Sequence, residues 1–187
     1  WPLLEAWLNL PAPRPLLVLV PRHPQRFSEV AALVEKSGLR LVRRSEFGDL
    51  PPASAELADV WLGDSVGELP MYYGMADAAL LGGSFAPLGG QNLIEAAACG
   101  CPLVMGPHTF NFSDAAQMAL AAGAAHRVQT LAEGVKAAVA MAKDPNRNSW
   151  VERALGFAAA HRGAASRVAE AAFRQRNAGS QPDRRAS

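Results

Sequence analysis

Six short apolar runs recur along the chain, each separated from the next by a stretch with helical or turn character. They are PLLVLV (15–20), LRLVRR (39–44), DVWLG (59–63), DAALLGG (77–83), PLVMG (102–106) and AHRVQ (125–129). Runs of this length are too short for helices and read as strands. Helical spacing appears between most of them, from Gln25 to Lys36 and in GELPMYYGMA (67–76), QNLIEAAACG (91–100) and DAAQMALAAG (114–123). Strands alternating with helices over short connections build a parallel sheet by crossovers. The chain is therefore predicted to be a Rossmann-like α/β domain with a doubly wound parallel sheet of about six strands. PLLVLV, unbroken by a polar residue, is expected to be buried on both faces of that sheet.

The flanks divide the chain further. Residues 1–14 carry three prolines and are expected to be an irregular lead-in, the remains of a linker; the opening on Trp1-Pro2 without Met suggests a piece of something longer. Residues 15–177 form the folded domain, and 178–187, GSQPDRRAS with its neighbour, read as a disordered tail. SEFGDLPPASAEL (45–57) is too rich in Pro, Gly and Ser for regular structure and is expected to be a mobile loop. From Thr130 onward the pattern is helical, with breaks expected near Pro145 and Gly163.

Bulk properties exclude several function classes. A net charge of +1 argues against nucleic acid as a partner. The only cysteines, Cys99 and Cys101, are too close for an unstrained disulfide and lack companions for a zinc set, so they are expected to pack as small apolar side chains. No apolar run approaches the ~20 residues of a membrane span, and no Asp-x-Asp or His/Asp cluster has metal-ligand spacing, so no metal is expected.

In a doubly wound sheet ligands bind outside the carboxyl ends of the strands, so the strand-exit loops hold the candidate site. PRHPQRF (21–27) places Arg22, His23 and Arg26 over a helix start, where backbone N–H groups and guanidinium charge favour anions; a solvated basic turn is the plainer alternative. In GDSVGELPMYY (63–73), Gly63 and Gly67 permit close approach to a ligand, whereas Ser65 and Glu68 have the spacing of a capping box. GGSFAPLGGQNLIEAAACG (82–100) offers the Ser84 hydroxyl, the Gly89–Gly90 pair, and Asn92 and Glu95 on one helix face. Those residues fit either a capped turn or an anion cradle beside a carboxylate that accepts from a sugar diol; the pattern is neither a P-loop nor a dinucleotide fingerprint. GPHTFNF (106–112) crowds His108, Thr109 and Asn111 beside two phenylalanines.

Taken in order, VPRHPQRF, GDSVGELPMYYGMADAALLGGS, GGQNLIEAAACGCPLVMGPHTFNF and AAGAAHRV resemble the C-terminal half of a bacterial 3-deoxy-D-manno-octulosonic acid (Kdo) transferase, over about residues 16–175. The resemblance implies the C-terminal, donor-binding half of a GT-B fold and transfer of Kdo from CMP-Kdo to a lipid A precursor in lipopolysaccharide assembly. It places Arg22 and His23 near the donor's charged groups and Gly67, Glu68 and Leu69 beside the cytidine. Ser84, Gly89, Gly90, Gln91 and Asn92 would meet the phosphate or the Kdo carboxylate, Glu95 the ribose hydroxyls, and His108 and Asn111 the cleft wall. Where the family pattern reads GGHNPLEPAA this chain has GGQNLIEAAA, so Gln91 hydrogen-bonds there without carrying charge. The catalytic base and the lipid acceptor site would belong to an N-terminal domain outside this sequence, so the isolated chain is expected to bind the donor and transfer nothing. No cofactor is implied, and the full-length protein would work at the cytoplasmic face of the inner membrane. A UDP-sugar enzyme of the 2-epimerase type and a non-catalytic nucleotide-binding module are the alternative readings.

Overall fold

The computed structural model describes residues 2–178; residues 179–187, nearly all of the expected tail, lie outside the described residues. Six strands form where the apolar runs stand: β1 (Leu17–Leu19), β2 (Leu41–Arg43), β3 (Val60–Leu62), β4 (Ala79–Leu81), β5 (Leu103–Met105) and β6 (Ala125–Arg127). All pairings are parallel, and the hydrogen-bonded ladder divides into two triplets, β1-β3-β2 and β4-β5-β6. The triplets meet through side chains: Leu80 of β4 packs in the same cluster as Leu17 and Leu19 of β1 and Val60 of β3.

The helices are α1 (Pro2–Leu8), α2 (Phe27–Lys36), α3 (Leu69–Met75), α4 (Leu93–Ala98), α5 (Ser113–Ala121), α6 (Leu131–Ala142) and α7 (Arg147–Ala178). The strand buried on both faces is β5, whose Leu103, Val104 and Met105 are inaccessible, whereas β1 is only half-buried. Burying a residue of that size stabilises by about 1.5–3 kcal/mol. β5 is the middle strand of its triplet, and alanines allow its neighbours to approach closely. Ala96 and Ala97 of α4, Ala115, Ala116 and Ala119 of α5, and Ala154 and Ala158 of α7 all face that core.

The lead-in differs from expectation. Pro2 occupies the first helical position, where its missing N–H costs nothing, and α1 follows. Leu4, Trp7 and Leu10 recur at helical spacing and are buried with Val34, Leu39, Val60 and Val135. Residues 2–10 are thus part of the core and not an irregular lead-in. The expected mobile loop contains short 3-10 turns at Arg44–Glu46 and Ala53–Leu57, and the Trp61 indole N–H donates to the Ala55 carbonyl at 3.2 Å. The helix break near Pro145 is present, but α7 continues without interruption through Gly163. Thr130 and Glu133 form the reciprocal capping box that starts α6.

Candidate functional site

Within each parallel triplet the strand exits share one edge, and the candidate residues lie there. At the exit of β1, Arg22 and His23 are exposed, and neither side chain makes a hydrogen bond or ion pair among the described residues. Arg26 is committed to Glu29 through two hydrogen bonds of 3.0 and 3.1 Å.

The exits of β2 and β3 are locked together by Asp64. Its buried carboxylate accepts from Arg43 Nε at 2.8 Å, the Ser45 amide at 2.8 Å and the Ser45 hydroxyl at 2.7 Å. Burial pushes the Asp64 carboxyl up, but the Ser45 bonds and the Arg43 charge outweigh it and hold the group below the ordinary aspartate value. Glu68, the N-cap residue of α3, makes no side-chain capping bond. Its carboxylate instead accepts from the Ser65 hydroxyl and from Arg44 Nη2, the latter at 2.7 Å. Ser65 and then Arg44 hold its carboxyl below the usual glutamate value. The capping box read from the Ser65–Glu68 spacing is absent because α3 starts only at Leu69, which puts Glu68 at the N-cap and Ser65 outside the helix. Gly67, with φ of +87°, and Leu69 flank this network. A pocket of about 210 Å³ lies alongside it, lined among others by Phe47, Leu50, Trp61, Met71 and Met75, but by none of the sequence-predicted site residues.

The exits of β4 and β5 interlock. Ser84 is fully buried; its hydroxyl donates to the Leu81 carbonyl at 2.5 Å and accepts from the Gly106 amide at 2.7 Å. The Ser84 carbonyl in turn accepts from the His108 amide at 2.9 Å. A side chain at Gly106 would come within 2.5 Å of the Ser84 carbonyl oxygen, so only glycine permits this approach. Ser84 is therefore a clasp between two loops, and its one proton is not available to a ligand, contrary to the role the sequence suggested. Gly89 and Gly90 have φ of +85° and +84° and pack against Asn111 and the His108–Thr109 backbone respectively. Asn111 donates from its amide nitrogen to the Gly89 carbonyl at 3.2 Å, and its side chain reaches the Leu88 carbonyl at 3.4 Å. The His108 and Asn111 backbones therefore brace the glycine turn from behind, and the Gln91 side chain lies over Gly83.

Beyond the glycines, Asn92 caps α4: its Oδ1 accepts from the Ile94 amide at 3.1 Å, while its Nδ2 donates to Glu95 Oε1 at 2.9 Å. Glu95 is exposed on the first turn of α4. Its charge also reaches Tyr73 of α3, whose phenol is pushed up to about 12 by burial and secondarily by that carboxylate. The capping reading holds here. The backbone N–H groups of Gly89, Gly90, Gln91 and Asn92 have no acceptor among the described residues, although Gly89 and Gly90 are buried and Gln91 and Asn92 half-buried; they lead directly into the helix turn that carries the Glu95 carboxylate. Unpartnered amides suit an oxyanion and Glu95 suits a hydroxyl pair. Among the described residues no group of three or more His, Cys, Asp or Glu is placed to hold a metal ion.

Sequence reasoning passed over Arg44 and Arg127. Arg44 stands at the edge of the segment read as mobile, and only its partner Glu68 reveals it. Arg127, at the end of β6, donates from Nη2 to the buried Thr109 Oγ1 at 2.9 Å; that partner lies 18 residues away in sequence, so no local pattern flags it.

Parallel triplets with a braced glycine turn at one exit define a Rossmann-like domain of the kind found as the C-terminal half of GT-B proteins. No family model matches the chain. It is 50% identical over 160 residues to the 3-deoxy-D-manno-octulosonic acid transferase of Bordetella pertussis, covering 85% of this chain and 37% of that protein. The enzyme of the same name from Haemophilus influenzae is 41% identical over 127 residues, 68% of this chain and 29% of that protein. The crystal structure of the C-terminal CMP-Kdo binding domain of WaaA from Acinetobacter baumannii superposes with a TM-score of 0.68 at 30% identity, covering 76% of this chain and 72% of that one. The chain belongs to the 3-deoxy-D-manno-octulosonic acid transferase family, and it spans about a third of the length of the two full-length relatives.

Proposed function

We propose that this chain is the donor-binding part of a glycosyltransferase that moves Kdo from CMP-Kdo to a lipid A precursor. The observation that carries the reading is the braced glycine turn, whose Gly89 to Asn92 amides lack an acceptor among the described residues and lead into the helix turn bearing Glu95. Those amides would take the donor phosphate or the Kdo carboxylate, and Glu95 would accept from the ribose hydroxyls. The cytidine would lie along Gly67 and Leu69 and touch Glu68 through its backbone, because the carboxylate is held by Arg44 and Ser65. Exposed Arg22 would add positive charge and His23 a ring N–H donor as CMP departs, while His108 and Asn111 keep the turn in shape. Charge developing on a leaving phosphate is stabilised most by donors already fixed in place, which is what the Ser84 and Asn111 contacts provide. Inverting transfer also needs a base to deprotonate the acceptor hydroxyl. That base, the lipid acceptor site and attachment to the cytoplasmic face of the inner membrane would belong to parts outside this chain; no described helix is long and apolar enough to cross a membrane. The chemistry would need no metal or other cofactor.

Titration calorimetry with CMP, UDP and cytidine tests the reading. CMP binds more tightly than either, and Glu95→Gln weakens it about tenfold or more, since hydrogen bonds to a charged group contribute about 1.5–3 kcal/mol. Preference for UDP would favour the 2-epimerase-like alternative, and no nucleotide binding at all would refute the proposal. Kdo transfer by this chain alone would contradict the placement of the base outside it.

A further inference from the structure

Resting on the function proposed above, we propose that Arg127 is an anion-binding residue of the donor site, aimed by Thr109 at an oxyanion of the sugar nucleotide. Arg26, Arg40, Arg43, Arg44 and Arg147 each pair with an Asp or Glu. Arg127 is half-buried at the exit of β6 and pairs with no carboxylate among the described residues. Of its five N–H donors one is met, by Thr109 Oγ1 at 2.9 Å. Its Nε–H is buried without an acceptor. A partly desolvated cation with neither counter-charge nor full hydrogen bonding destabilises the fold, and an anion meeting its Nη groups from outside offsets that charge. Its position fits that role: Thr109 lies against Gly90, its Cα and Cγ2 within 3.4 and 3.8 Å of where a Gly90 side chain would begin. The guanidinium thus stands one side chain away from the turn with the unpartnered amides. Its planar fork matches phosphate and carboxylate oxygens alike, so the class of ligand group is an oxyanion of the donor, either the phosphate of CMP or the carboxylate of Kdo.

The test measures CMP, cytidine and free Kdo binding by calorimetry, with thermal stability, for the wild-type chain, Arg127→Met and Thr109→Val. Arg127→Met is expected to weaken CMP or Kdo about tenfold, as loss of a charge-assisted contact does, and to leave cytidine unchanged. The melting temperature stays level or rises, because a costly unpaired charge has gone. Loss with CMP identifies the phosphate and loss with Kdo the carboxylate, and either supports the proposal. Thr109→Val keeps the charge but frees its aim, and weakens the same ligand by a smaller factor. If Arg127→Met binds CMP and Kdo as the wild type does, this inference falls alone. A lowered melting temperature with CMP and cytidine weakened in parallel would assign Arg127 a structural role and overturn it too. A wild-type chain that binds neither CMP nor Kdo refutes the proposed function and this inference with it.

Discussion

Ser84→Ala separates a clasp from a ligand contact. The Ser84 hydroxyl is buried and serves two backbone groups, donating to the Leu81 carbonyl at 2.5 Å and accepting from the Gly106 amide at 2.7 Å. Alanine removes both bonds and lets no water in, since Ser84, Leu81 and Gly106 are all buried. A buried backbone group left without its partner costs about 1–3 kcal/mol; the two together, with some relaxation, give about 2–4 kcal/mol. For a chain of this size that corresponds to a fall in melting temperature of roughly 5–12 °C. Differential scanning calorimetry measures it, with CMP affinity determined well below the transition. The expected result is a clear loss of stability with at most a several-fold change in CMP affinity, transmitted through the loosened Gly106 and His108 loop. A melting temperature unchanged within a degree, combined with a tenfold loss of CMP affinity, would show that the hydroxyl serves the ligand and would refute the clasp.

Two further perturbations probe the frame. Trp7→Ala removes the largest buried side chain of α1 and is expected to cost about 3–5 kcal/mol in urea unfolding; a loss below about 1 kcal/mol would mean that α1 is not part of the core. Asp59 accepts from Arg40 Nε, Nη2 and backbone N–H, each at 2.9 Å, and these bonds hold its carboxyl at about 2, below the ordinary value of 3.8. Since the folded-state value is depressed, the pair's stabilisation is fully present above about pH 4 and lost as pH falls through 2. The pair is well exposed, so its contribution after solvent screening is about 1 kcal/mol or less. Asp59→Asn should therefore melt below the wild type at pH 6, and the gap should close near pH 2. A gap that persists unchanged to pH 2 would refute this assignment.

The strands and their order of appearance were legible because each apolar run is flanked by turn residues and helical spacing. What composition hid were the contacts that cross between elements. The prolines of residues 1–14 argued for irregular chain, yet Pro2 sits where a helix tolerates it and the others follow the helix, so the spacing of Leu4 and Trp7 was the better guide. PLLVLV was the most continuous apolar run, but burial depends on position in the sheet, and the central PLVMG strand is the one fully covered. Asn92 could be named a helix cap from its place before LIEAAA. That Ser84 is consumed by the next loop could not be read locally, because its partner Gly106 lies 22 residues away. Arg44 and Arg127 were invisible for the same reason: their meaning resides in Glu68 and Thr109, which folding alone brings to them.

A CMP site formed by the glycine turn and Glu95 leaves a residue-by-residue signature. Residue-resolved NMR titration of the chain with CMP tests it most directly. Saturable shifts are expected at the amides of Gly89, Gly90, Gln91 and Asn92 and at Glu95, with smaller shifts at Gly67 and Leu69 and weaker effects from UDP. Saturable CMP shifts that leave these residues untouched, or no shifts at millimolar CMP, would contradict it.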